Sequence, residues 1–86
     1  GKVTLLASDG RVLASRQVPH ALDTIPDGRN GLCVRLVDGI CGLDKSLEPT
    51  WRLSTHGIPH VAARDGVIYV VAGLPGTLQL CAYALA

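Results

Sequence analysis

A period of 40 residues constrains this chain more than any other feature. Val18-Pro19-His20 recurs as Ile58-Pro59-His60, and Ile40-Cys41-Gly42-Leu43 recurs as Leu80-Cys81-Ala82-Tyr83, so His20 to His60 and Cys41 to Cys81 are the same step of 40 residues. Two separate matches sharing one step are the mark of a chain built from copies of one supersecondary unit. A third, weaker copy opens the chain: 3–10 and the run 11–18 answer to 40–45, a loop, and then Thr50-Trp51-Arg52-Leu53-Ser54. Asn30-Gly31-Leu32 ahead of one run likewise answers to Asp65-Gly66-Val67 ahead of Ile68-Tyr69-Val70-Val71.

The runs inside each copy are rich in Val, Ile, Leu and Thr and are broken by Asp-Gly, Asn-Gly and Pro-Gly. Branched side chains fit a pleated surface, and Gly with Asp or Asn supplies the backbone angles of tight turns. This grammar predicts strands over 2–8, 11–18, 20–25, 31–37, 40–44, 50–55, 58–63, 67–72 and 78–85, and no helix. About four strands per 40 residues is the period of β-propeller blades. Asp9-Gly10 and Asp38-Gly39 are predicted to be two-residue type I′ hairpin turns. The second would pair Val37 with Ile40 and Leu36 with Cys41, which sets Cys33 and Cys41 on opposite faces and disfavours a disulfide between them.

The segments 3–14, 40–51 and 80–86 resemble the strand, Leu-Asp, loop and Trp-bearing strand of pyrroloquinoline-quinone-type (PQQ-like) propeller repeats. Leu43-Asp44 and Trp51 match that pattern, as does Asp65-Gly66-Val67-Ile68-Tyr69-Val70, while the first copy has Ala7 and Ala14 where the Asp and the Trp would stand. The resemblance implies strands ordered outward from a central axis, with 18–25 and 58–63 innermost. On that map 1–18 is the outer hairpin of a partial blade, 19–55 a full blade, and 56–86 the three inner strands of the next. The expected fold is all-β, about two four-stranded antiparallel propeller blades forming part of a larger or oligomeric propeller. A small β-sandwich or barrel is the alternative if the repeat is accidental.

Size decides what such a piece needs. A chain of 86 residues buries only about 60–65% of the surface its unfolded form exposes, so its own stability margin is small. Open strand edges and an uncovered blade face then call for neighbours, either further blades or copies of the same chain in a homo-oligomer. A hydrophobic fraction of 48% argues against disorder. A net charge of +1, with only Trp51, Tyr69 and Tyr83 to stack on bases, argues against a nucleic-acid surface. No apolar run is long enough to span a membrane, and the first residues lack the basic-then-apolar pattern of a signal peptide. The odd set Cys33, Cys41 and Cys81 makes no disulfide framework, so a reducing, cytoplasmic compartment is expected.

His20, His60 and Trp51 are the candidate ligand-binding residues. The two histidines occupy equivalent places near the start of the innermost strands, where a ring would gather imidazoles around one opening and could hold a metal or an anion, the metal being unspecified. No Cys-X-X-Cys or His-Glu-X-X-His spacing accompanies them, so a turn-fixing role is the better reading. Trp51 could stack on a sugar, as in propeller lectins, but its place in the repeat favours packing between blades. His56 reads as an exposed loop residue. Ser54, His56 and Asp65 form no recognised nucleophile motif, Cys41 and Cys81 read as buried free thiols, and Asp9, Asp38, Asp44 and Asp65 read as turn residues. Gly73-Leu74-Pro75-Gly76 reads as a hairpin loop, since no helix follows it to bind phosphate. No catalytic residue or cofactor is expected. The function expected is a non-enzymatic scaffold or recognition module binding a protein or small ligand, with a segment of a quinoprotein-like oxidoreductase and a carbohydrate-binding lectin as alternatives.

Overall fold

The computed structural model describes residues 1–29, 31–74 and 77–84, and for 73, 74, 77–81 and 83 the description covers the backbone. Nine strands run through it: β1 (Lys2–Leu6), β2 (Val12–Gln17), β3 (Ala21–Pro26), β4 (Leu32–Leu36), β5 (Gly39–Leu43), β6 (Pro49–Ser54), β7 (His60–Arg64), β8 (Val67–Leu74) and β9 (Thr77–Ala84). Each lies within two residues of a predicted run at either end. The fold is all-β, with three antiparallel sheets ordered β1-β2, β3-β4-β5-β6 and β7-β8-β9. The described residues contain no helix, and so none long and apolar enough to cross a membrane.

The four-stranded sheet is the middle layer. One of its faces presents Val34, Leu36, Cys41 and Leu43 to a cluster that includes Val18 and Leu47 and takes Val3, Leu5 and Ala14 from the first sheet. The other face presents Cys33 and Ile40 to Ile68 and Val70, with Trp51, Leu53, Val61 and Ala63 around them. This double covering explains the sequence pattern. The outer strands β1 and β7 alternate exposed and half-buried positions, because one face alone packs. In β5 every residue of Gly-Ile-Cys-Gly-Leu is buried, so alternation disappears and the run reads as continuously apolar.

Two glycines in β5 permit the close approach of its neighbour β6. A Cβ on Gly39 would strike the carbonyl of Leu53 across the ladder, and one on Gly42 would enter the indole of Trp51. Trp51 stands opposite Gly42 in the register, so the ring lies flat over bare backbone and closes the edge of the second cluster.

The Asp-Gly turns differ from expectation at two places. The β4–β5 register pairs Leu36 with Gly39, Arg35 with Ile40 and Val34 with Cys41, so the loop is Val37-Asp38 and Gly39 begins the strand. Neither Asp38 nor Gly39 has positive φ, and the glycine serves close approach rather than turn geometry. Cys41 still faces away from Cys33, because Val34 and Leu36 share a face; both thiols are free. At Asp9-Gly10 the loop is longer: the Ala7 N–H donates to the Arg11 carbonyl at 2.8 Å, the Gly10 N–H donates to the Ala7 carbonyl at 2.9 Å, and Gly10 has φ of 88°. The turn with positive φ at both central residues is Asp65-Gly66, at 53° and 79°, between Arg64 and Val67. Strand β8 runs on through Gly73 and Leu74, and the Pro75-Gly76 of the expected hairpin loop lies outside the described residues.

Gly42→Ala is expected to cost about 1–3 kcal/mol in urea unfolding, because the added methyl displaces the indole. In a Trp51→Ala background the same change should cost less than half as much, since nothing then occupies the space; an undiminished cost would place the strain in the backbone instead.

Candidate functional site

A bulge builds the polar site at the start of β3. Ala21 pairs with Leu36 and Asp23 with Arg35, so Leu22 is an extra residue that shifts the facing of the strand. Ala21 therefore packs on the first cluster, while Asp23 stands directly across from Arg35 and Ile25 packs on the second cluster. Arg35 clamps Asp23 with two parallel bonds, Nε to Oδ1 at 2.9 Å and Nη2 to Oδ2 at 2.7 Å. Its Nη1 donates to the Pro59 carbonyl at 3.3 Å, immediately ahead of β7. One guanidinium thus joins the second sheet to the lead-in of the third.

The candidate histidines flank this bridge. His20, three residues before Asp23, is exposed, has φ of 64°, and its carbonyl accepts the Val37 N–H at 3.2 Å. His60 follows Pro59 directly and is the exposed first residue of β7, opposite Val71. The two Pro-His copies differ in place and in backbone: His20 precedes β3 and turns through the left-handed region, whereas His60 is already in the ladder. Pro59 is fully buried, whereas Pro19 is exposed.

Trp51 stands apart from this group. It lies on β6, at the opposite edge of the middle sheet from β3, three strand spacings or roughly 14 Å away. Among the described residues no group of three or more His, Cys, Asp or Glu is placed to hold a metal ion. Ser54, His56 and Asp65 do not converge either, since β7, roughly 17 Å long, separates the segment containing His56 from the turn containing Asp65. His56 is exposed in the link between β6 and β7.

Of the turn aspartates, Asp9 accepts the Arg11 N–H at 2.9 Å, and Asp44 accepts those of Ser46 and Glu48 at 2.8 and 3.0 Å. Asp38 and Asp65 instead face Arg52 and Arg64, each at 3.6 Å. Sequence reasoning missed Asp27, which is buried and accepts the N–H groups of Arg29 at 2.6 Å and Gly31 at 3.1 Å. It also missed the Asp23 and Arg35 pair. The available signal was two opposite charges inside adjacent strand runs, hidden because a bulge is needed to align them.

Charge and burial set the chemistry. The Arg35 hydrogen bond holds the Asp23 carboxyl below its ordinary value against the opposing effect of desolvation, and the same bond raises Arg35. Burial pushes the Cys33 thiol up to about 12, with Cys41, Asp27 and Asp23 adding to it, and burial also raises Cys41. Both thiols are therefore protonated and poor nucleophiles near neutral pH. His20 and His60 are exposed, and the Asp23 and Arg35 pair near them is partly exposed.

Two outcomes follow for pH and for thiol chemistry. Asp23 is depressed in the folded state, so its stabilisation is present above the unfolded value near 3.8 and is lost as pH falls through the folded value. Asp23→Asn should remove that acid-side loss from urea midpoints measured between pH 5 and 2. Cys33 is raised, so stability falls as pH climbs from the unfolded value of 9.0 towards about 12. In a Cys81→Ser background an aromatic disulfide reagent should label Cys33 and Cys41 at least about a hundredfold more slowly in buffer than in urea; equal rates would show accessible thiolates.

Comparison with family models, with curated proteins and with solved structures finds no match to this chain.

Proposed function

We propose that the chain is a non-enzymatic scaffold or recognition module made of β-propeller blade repeats, resembling PQQ-like repeats, which self-assembles or completes a larger ring. The observation that carries this reading is a shared register. Val34 pairs with Cys41 in the middle sheet and Val70 with Cys81 in the third, and both valines turn to the sheet that precedes their own. The repeated Cys motif thus lies on the third strand of each sheet, and the repeated Pro-His motif leads into the first.

The opening hairpin supports the same translation. Its loop bonds, Ala7 N–H to Arg11 carbonyl and Gly10 N–H to Ala7 carbonyl, recur as Asp44 to Glu48 at 2.9 Å and Leu47 to Asp44 at 2.9 Å. Leu47 has φ of 65° where Gly10 has 88°. On this correspondence β1 and β2 stand for β5 and β6, and Ala14 stands for Trp51, each turned to the following sheet. In this reading the rim of His20, Asp23, Arg35 and His60 lies beside the innermost strands and forms the recognition surface.

A non-catalytic role accords with the chemistry of the site. Arg35 is committed to Asp23 and the Pro59 carbonyl, and the two described thiols are protonated. The test is native mass across a dilution series. A discrete multimer that survives dilution supports a ring shared between chains; a compact monomer at every concentration moves the assignment to a self-contained β-sandwich.

A further inference from the structure

Two sheet faces carry apolar side chains turned away from the stack. On the first sheet Leu6 is 55% exposed, with Val12 paired to it and Leu13 beside it in a bulge. On the third sheet Tyr69 is 44% exposed between the buried Ile68 and Val70, and it pairs with Ala62 on β7 and Ala82 on β9. One face presents branched aliphatic side chains, and among the described side chains the other presents the Tyr69 ring between Ala62 and Ala82.

The chain itself contains the covered version of each face. By the loop correspondence Leu6 occupies the place of Leu43, which is 3% exposed because the first sheet covers it. By the register correspondence Tyr69 occupies the place of Cys33, which is 0% exposed because the third sheet covers it. The stack therefore begins and ends on the two complementary halves of the sheet–sheet interface that it makes twice internally.

We infer that the Leu6, Val12 and Leu13 face of one copy of this chain docks on the Ala62, Tyr69 and Ala82 face of the next copy, head to tail. The partner is a second copy because the faces needed to continue the stack are both present on one chain, at opposite ends. The inference rests on the blade-repeat reading, which supplies the correspondences. Such an interface is heterologous, so it leaves one face open at each end of any chain of copies until a ring closes.

That property gives the test. Leu6→Glu spoils one face and Tyr69→Glu the other, and both positions are exposed, so each variant should keep the β-sheet circular dichroism of the parent chain. Leu13→Lys and Ala82→Lys replace them if either loses it. The parent chain should form a multimer by native mass spectrometry. Each variant alone should be a monomer, its association weakened at least about a hundredfold by a buried unpaired charge. An equimolar mixture should give a heterodimer with one copy of each variant, because each supplies the face the other lacks. A parent multimer that neither substitution disturbs, or a mixture that stays monomeric, overturns this interface and leaves the blade reading standing. A parent chain that is monomeric throughout overturns both.

Discussion

Burial of the middle sheet on both faces is the constraint from which the rest of this structure follows. Leu36, Ile40, Val34 and Cys33 are fully buried, and they lie on β4 and β5 on alternate faces. Removing such side chains from water contributes about 1.5–3 kcal/mol for each of the large ones, so the two central strands hold much of what opposes chain entropy. Within the sheet, β5 carries glycine at positions where any Cβ would strike Leu53 or Trp51 of the neighbouring strand β6. The covering of both faces explains why the thiols of Cys33 and Cys41 are raised: a thiolate there would be cut off from water.

Polar contacts fix how the layers meet. Arg16 on β2 reaches Glu48 in the loop after β5 at 2.9 Å, and Arg35 on β4 reaches both Asp23 and the Pro59 carbonyl. Pairs this exposed add little stability, and their value is in geometry. The loops are held more locally. Asp27 and Asp44 each accept backbone N–H groups two and four residues further on, and the described residues include no buried side-chain nitrogen or oxygen without a partner. The loop containing Gly28 and Arg29 also rests on the Asp65-Gly66 turn, which brings the second and third sheets together beyond the core.

This division of labour bears on function. Apolar packing takes up Cys33, Cys41 and Trp51, while His20 and His60 are exposed at the starts of β3 and β7. Among the described residues the two thiols are protonated in the core, and Asp23 and Arg35 are engaged with each other. The proposed blade repeat places the rim of His20, Asp23, Arg35 and His60 beside the innermost strands and leaves the two outer sheet faces for assembly.

The sequence by itself determined the strands and their number. Side-chain period, branched residues and glycine-bearing turns are local properties, and they place all nine runs without knowledge of what packs on them. It also determined that Cys33 and Cys41 face apart, because the partner of Cys41 moved by two residues, from Leu36 to Val34, and an even shift keeps the face. Tertiary structure decided the register itself: Gly39 was drawn into the ladder because Leu53 and Ser54 approach it too closely for any side chain. It decided the bulge at Leu22, and with it the Asp23 and Arg35 pair, because only contact with two different clusters tells β3 to change its facing midway. Trp51 packs against the second cluster, and the sequence did not show the glycine beneath it. Which backbone a ring will lie against is set by the neighbouring strand, and that neighbour is chosen only when the sheet forms.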